Sequence, residues 1–283
     1  MATEAFSRLV EGTDHEERKV RVNGIEMNVV VAGRGPDALL VHGYPDTHHV
    51  WRKQIPALVA AGYRVIAPDT RGCGETEISP EVADYRIENL VADLVGLLDA
   101  LAIDRVRLIA HDWGAAISWQ LVGQHPERVD RYVALSTGHP AAYRRAGLEQ
   151  RLKSYYTLLF RLPGFPEWLL RSANWWGLRT LTGYPEEVPQ WRSQLSRPGR
   201  LTAGLNYYRA NWRIFFAGDA THAKVPVLGV WSSGDRFLAE RQMRDSAALV
   251  DAPFQYVRIE GANHWLQLSG AERLNPLLLD YLK

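Results

Sequence analysis

Short β-rich runs alternate with helical patterns at both ends of this chain, and the alternation breaks once, between about His139 and about His222. Val20–Val22 and Met27–Ala32 flank Asn23-Gly24, a strong two-residue hairpin signal. Ala38–Val41, Tyr63–Ala67, Val106–Ala110 and Val129–Leu135 read as further strands. Helical stretches separate them at about 50–60, 88–101 and 115–122. After the break come Val225–Trp231 (strand), Ala239–Val250 (helix), Gln255–Ile259 (strand) and a last helix ending in LNPLLLDYLK. Such alternation implies an α/β class with a mostly parallel sheet, covered by helices on both faces. Ligands then sit beyond the carboxyl ends of the strands. The interruption is rich in Trp, Tyr, Arg and Pro and reads as several short helices. It leaves the sheet just after Val129–Leu135, so its natural position is over that same edge. The expected organisation is a core from 1–138 and 223–283, with 139–222 as a helical cap.

A length of 283 residues suits one large α/β unit with an insertion. A net charge of +1 gives no reason to expect nucleic acid as a partner. Cys73 is the single cysteine, which rules out an intrachain disulfide and fits a reducing compartment. The N-terminal MATEAFSRLVEGTDHEERKV has no apolar core of signal-peptide length, and no run approaches the roughly 20 apolar residues of a membrane span. These features predict a soluble cytoplasmic protein with no membrane partner, as a monomer or homodimer. Ten Trp and twelve Tyr can serve as core, but an aromatic-lined apolar pocket needs the same residues.

Strand Val106–Ala110 runs into His111-Asp112-Trp113-Gly114-Ala115 and then into a helix. Ala110, Gly114 and Ala115 are small, as required where a strand turns sharply into a helix and the central side chain is thrust out above the sheet. This is the G-x-S-x-G elbow pattern with Asp in place of Ser. A carboxylate there also faces a helix N-terminus, which favours the anion, and can attack an electrophilic carbon. The plainer reading is that Asp112 only caps the helix.

Ala110-His111-Asp112-Trp113-Gly114, with His42-Gly43-Tyr44-Pro45-Asp46 upstream, resembles the epoxide hydrolase and haloalkane dehalogenase branch of the α/β-hydrolases. Asp69-Thr70-Arg71-Gly72-Cys73-Gly74 matches that family's D-x-R-G-x-G segment, and Gly261-Ala262-Asn263-His264-Trp265 its histidine loop. The motifs span nearly the whole chain in order. The resemblance implies the α/β-hydrolase fold: a mostly parallel eight-stranded sheet flanked by helices, with a helical cap after the sixth strand.

A general base must reach the nucleophile from a strand-end loop on the same face, which selects His264. Among other histidines, His48 and His49 read as surface residues at a helix start, and His111 should point down into the elbow's packing. His125 lies in a helix-ending turn, His222 in a polar loop, and His42 supports its own turn. The orienting acid should follow a late strand. Asp235, after Val225–Val230, gives the order nucleophile, acid, histidine. The alternative position, Ser136-Thr137-Gly138, has no carboxylate. Oxyanion donors should be the backbone N–H groups of Tyr44 and Trp113, and the resemblance implies a cis Tyr44-Pro45 bond.

The leaving group's partner decides the substrate. An epoxide oxygen needs a hydrogen bond as its ring opens, and a tyrosine hydroxyl supplies one. Asn206-Tyr207-Tyr208-Arg209 resembles the cap motif of epoxide hydrolases with Tyr208 on the ring-opening tyrosine; Tyr207 replaces a usual Trp. Tyr155-Tyr156, followed by Phe160 and Pro163-Gly164, resembles the segment carrying the other, with Tyr156 first and Tyr155 as runner-up. The plainer reading of any of these is a Tyr packing helices with its hydroxyl at water. The expectation is an epoxide hydrolase acting through an ester on Asp112, with a small apolar epoxide and water as partners. No metal-ligand cluster or phosphate-binding glycine loop is evident, so no cofactor is expected. The first rival is a haloalkane dehalogenase using the same Asp112, with Trp168, Trp175, Trp176, Trp191 or Trp212 as halide donor, although Tyr44 stands where dehalogenases commonly have Asn. A fluoroacetate dehalogenase lacks its arginines here, at Trp113 and Ile117-Ser118. A serine esterase lacks its serine. A binding protein without turnover is the rival from another class.

Overall fold

The structure is a computed structural model that describes residues 13–215 and 221–283. The reading of residues 1–12 lies outside the described residues, as do 216–220 of the interruption.

Eight strands form one sheet: β1 (His15–Val22), β2 (Ile25–Ala32), β3 (Asp37–Val41), β4 (Arg64–Pro68), β5 (Val106–His111), β6 (Val129–Leu135), β7 (Val227–Gly234) and β8 (Phe254–Asn263). Their spatial order is β1-β2-β4-β3-β5-β6-β7-β8. The β1–β2 and β2–β4 pairs are antiparallel, and every other pair is parallel. Val22 pairs with Ile25, so Asn23-Gly24 forms a two-residue hairpin loop with both φ angles positive.

Helix α1 (Ile55–Ala60) is shorter than the apolar pattern suggested. His48–Trp51 is a separate 3₁₀ turn, and Pro56 lies in the first turn of α1. Helix α2 (Ile87–Ala100) buries Leu90, Leu94, Leu97 and Leu98 as its period requires, each contributing about 1.5–3 kcal/mol. Helix α3 (Trp113–Gln124) follows β5 without a gap beyond Asp112. Among the described residues between β6 and β7, the regular elements are helices: α4 (Pro140–Arg145), α5 (Leu148–Lys153), α6 (Tyr155–Leu159), α7 (Phe165–Thr182), α8 (Val188–Leu195) and α9 (Arg200–Ala210), then a 3₁₀ turn at Trp212–Phe215. Non-helical angles at Ser172–Trp175 divide α7 in two. The expected helix over 239–250 is also divided, into α10 (Glu240–Arg244) and a 3₁₀ turn at Asp245–Leu249. Helices α11 (Leu266–Ser269) and α12 (Ala271–Tyr281) complete the chain. Among the described residues no helix is long and apolar enough to cross a membrane.

β3, β4, β5, β6, β7 and β8 all end on one edge of the sheet. The chain there reads His42, Asp69, Asp112, Ser136, Asp235 and His264, so the polar residues collect where the fold leaves a crevice. The loop after β4 is anchored from below. Arg71 holds Asp93 of α2 through two hydrogen bonds, of 2.9 and 2.5 Å, and both side chains are almost fully buried. Removing one member of such a pair strands a buried charge. Asp93→Ala should therefore lower the unfolding free energy by about 3 kcal/mol or more. Asp130→Ala, which breaks the more exposed pairings with Arg105 and Arg107, should cost under about 1 kcal/mol. Denaturant melts of the two variants check this; equal losses would contradict it.

Candidate active site

Asp112 has φ 52°, a left-handed conformation that a non-glycine residue rarely adopts. Its side chain makes no capping bond to α3, which removes the plainer reading of this residue as a helix cap. The elbow is possible because its neighbours are glycines. A Cβ on Gly43 would lie 2.4 Å from the Asp112 side chain, and one on Gly114 would lie 2.3 Å from the Val41 carbonyl oxygen. The loop after β3 and the start of α3 can therefore approach each other closely, and the carboxylate projects between them.

The Tyr44 backbone N–H donates to Asp112 Oδ1 at 2.9 Å, and the Trp113 N–H also bonds this carboxylate. The Tyr44-Pro45 bond is cis. On the other side His264 Nε2 stands 3.6 Å from Asp112 Oδ2, an ion-pair distance. His264 Nδ1 lies 2.9 Å from Asp235 Oδ2. Asp235 Oδ1 accepts the N–H groups of Phe237 and Leu238 at 2.8 and 2.9 Å, which fixes the carboxylate. The His264 carbonyl accepts from Ser136 Oγ at 2.9 Å and lies 3.0 Å from His111 Nε2. His111 points down beneath His264. Burial, and then the His264 charge, push its pKa down to about 3, so it stays neutral.

Burial works against charge on His264, but Asp235 and Asp112 outweigh it, and its pKa is raised to about 10. Burial would likewise raise the Asp112 pKa; His264, His111 and the Trp113 N–H outweigh it, so the carboxyl ionises below its ordinary value. The resting pair is carboxylate and imidazolium. His42 is neutral and structural: its Nε2 accepts the Thr70 N–H at 3.0 Å while its Nδ1 faces the Gly43 carbonyl.

Two cavities meet on Asp112. One is lined by Asp112, Trp113, Tyr143, Tyr156, Tyr208 and Leu238 among others. The second shares Asp112, Tyr156 and Tyr208 and adds Tyr44, Phe160, Phe237, His264 and Trp265. Thus α6 and α9 bring Tyr156 and Tyr208 over the carboxylate, with ring centroids 6.1 Å apart. Burial holds both phenols well above their ordinary pKa, so both remain protonated. Tyr155 is 60 % exposed and lines neither cavity. Tyr207 is turned away, donating to the Arg71 carbonyl at 2.8 Å. None of Trp168, Trp175, Trp176, Trp191 and Trp212 lines either cavity. Trp113 and Trp265 do, but the Trp265 N–H is committed to Asp46.

One expectation needs correction. His48 and His49 are buried, at 8 % and 7 % exposure. His48 pairs with Asp69 at 2.9 Å, which holds the Asp69 carboxyl far below its ordinary range despite burial. The 3₁₀ turn and the covering α8 take these residues out of solvent. In the sequence Asp46 stands out only as part of the His42–Asp46 motif. It is 5 % exposed and accepts the indole N–H of Trp191 at 2.7 Å and of Trp265 at 2.9 Å. Burial, opposed by those two bonds, pushes its pKa up to about 7. It ties the inserted α8 to the loop that carries His264. The available signal was a carboxylate next to the Tyr44-Pro45 turn in a chain rich in Trp. Among the described residues no group of three or more His, Cys, Asp or Glu could hold a metal ion.

Residues 39–271 match the family model for the alpha/beta hydrolase fold. The AB hydrolase superfamily protein YfhM of Bacillus subtilis is 34% identical over 93% of this chain and 96% of its own length. Epoxide hydrolase A of Mycobacterium tuberculosis is 32% identical over 94% and 97%. The crystal structure of Epoxide Hydrolase A from Mycobacterium thermoresistibile superposes with a TM-score of 0.84 at 28% identity, covering 95% of this chain and 98% of that one. An eight-stranded sheet in this order, an acid at the elbow and these full-length likenesses agree, and the chain belongs to the α/β-hydrolase family, among its epoxide-hydrolase-like members.

Proposed function

We propose that this protein is an epoxide hydrolase that opens a small apolar epoxide to a vicinal diol through a covalent ester on Asp112. In this reading 139–222 is a lid over a core formed by 1–138 and 223–283. The observation that carries it is the pairing, across one cavity, of an ionised Asp112 with the protonated phenols of Tyr156 and Tyr208. A carboxylate oxygen attacks one epoxide carbon, and the carbon–oxygen bond breaks. The two phenols hydrogen-bond the departing oxygen, and one supplies its proton. His264, oriented by Asp235, then takes a proton from water, whose oxygen adds to the ester carbonyl. The Tyr44 and Trp113 N–H groups receive the developing oxyanion. Collapse returns Asp112 as carboxylate and releases the diol.

The two steps need different charge on Asp112, an anion first and a neutral ester second, and His264 follows. Ionised Asp112 helps hold His264 protonated before attack. The ester is neutral, so that support disappears: the imidazolium gives up its proton, which restores the phenol that protonated the departing oxygen, and the neutral imidazole becomes available as a base. His264→Gln should form the ester and stall: intact-mass spectrometry should show an adduct on Asp112. Undiminished turnover in that variant, with no adduct, would remove the assignment.

Tyr156→Phe and Tyr208→Phe should each slow ester formation, and the double variant should lose about 10²–10⁴-fold, read as single-turnover rate. A comparison of halide release from a bromoalkane with diol formation from styrene oxide separates the dehalogenase reading. It predicts that both Phe variants leave halide release intact.

Ester formation uses the ionised Asp112 and the protonated phenols, so its single-turnover rate should stay flat between about pH 6 and about pH 9. Steady-state turnover should fall on the acid side, as His264 in the ester becomes protonated. An acid limb in both rates, or in neither, would contradict this order of events.

A further inference from the structure

The outer face of the inserted helices carries apolar side chains where a solvated face should carry polar ones. Leu148, Leu152, Tyr155, Leu158, Leu162, Phe165 and Trp168 recur at spacings of three and four, and all are exposed, from 43 % for Phe165 to 70 % for Leu148. The inward positions of the same helices are taken by others: Gln150, Tyr156, Thr157, Pro166 and Leu170 face the protein. These seven do not belong to the core, and none lines the cavities at Asp112. The face extends to Trp212, since the Arg161 guanidinium stacks 4.7 Å from that ring. Contiguous exposed apolar surface of this kind marks an interaction site.

Charge identifies the occupant. Residues 139–222 carry twelve Arg and Lys against five Asp and Glu, while the rest of the chain carries twenty-one against twenty-seven. Within 148–176, Arg151, Arg161 and Arg171 are exposed. Of the two acids there, Glu167 is tied to Arg209 and Glu149 pairs with Lys153. A second copy docked through this face would set one basic surface against another. A flat face of Leu, Phe, Tyr and Trp rimmed by arginine instead matches a lipid–water interface with anionic headgroups, where aromatic rings sit at headgroup depth and arginines contact phosphate.

We infer that the α5–α6–α7 face docks this protein onto an anionic membrane surface without spanning it. This departs from the expectation of no membrane partner, which rested on the missing transmembrane run; a surface-lying face needs no such run. Tyr155 and Leu158 project outward from the same short helix whose other side presents Tyr156 to the cavity. Docking would therefore bring the cavity close to apolar molecules dissolved in the bilayer.

The test is co-sedimentation with vesicles of mixed phosphatidylglycerol and phosphatidylcholine, against phosphatidylcholine alone. Binding is expected to the anionic vesicles at low ionic strength, with release at about 0.5 M salt, where screening is short-ranged. Arg161→Glu and Arg171→Glu should each weaken it at least roughly fivefold. The triple variant Leu152→Ser, Leu158→Ser, Trp168→Ser should weaken it about tenfold or more, and a thermal melt unchanged from the parent excludes misfolding. No binding at low salt, or equal binding by the triple variant, overturns the inference. A dimer in light scattering that the triple variant converts to monomer, without vesicle binding, also overturns it in favour of a second copy.

Discussion

The arrangement depends on one backbone position. Asp112 occupies a conformation that costs of order 1–3 kcal/mol for a residue with a Cβ, and the structure tolerates it because Gly43 and Gly114 let three segments meet there. The consequence is a carboxylate that projects into the crevice at the sheet edge. It is held by the Tyr44 and Trp113 N–H groups and faced by His264. Each contact stabilises the anion, and together they overcome the desolvation that would otherwise protonate it.

Buried charge then has to be balanced around this point. Asp112 and Asp235 flank a single imidazole, so the group is one cation between two anions. The surplus negative charge is offset by oriented N–H groups: two on Asp112 and two on Asp235. Backbone donors are suited to this because they cannot titrate and their direction is fixed by the loops they close. His264 is itself fixed through its carbonyl by Ser136 and His111, residues at the ends of two other strands. The sheet edge thus supplies the orientation, and the charges supply the protonation states.

The fold was legible because its signals are local. Strand–helix alternation, the Asn23-Gly24 turn and the elbow at 110–115 depend on residues next to one another, and each lies where the pattern put it. Helix lengths were less legible. The apolar periods over 50–60 and 239–250 continue across a 3₁₀ turn in each case, and the pattern of buried residues does not reveal where the hydrogen bonding changes. Asp112, Asp235 and His264 could be located because order along the chain and strand-end position restrict a base to few loops. The choice between Tyr155 and Tyr156 could not be made from propensity. It depends on which side of a five-residue helix faces inward, and that is set by packing against Phe160, Phe237 and Tyr208. His48, His49 and Asp46 were misjudged or overlooked for the same reason. Their burial comes from helices more than 130 residues away in sequence, such as α8 with Trp191.

That distant packing determines how the insertion can act on the chemistry. The inserted helices meet the sheet edge through polar ties as well as through rings: Trp191 on Asp46, Lys153 on the Asp235 carbonyl at 2.7 Å, and Gln150 on the Phe237 carbonyl and the Ala239 N–H. All three reach loops that carry, or directly adjoin, a member of the Asp112–His264–Asp235 group. A displacement of α5 or α8 therefore moves the histidine and its acid, not only the cavity wall. Tyr156 and Tyr208 lie on the same inserted segment, so the phenols and the imidazole are positioned by one body from opposite sides of the carboxylate. A polar contact has a defined direction and length where an apolar one tolerates sliding. That difference is a physical reason for a chain this rich in aromatic residues to spend three hydrogen-bonding side chains, two of them buried, on holding its insertion in register.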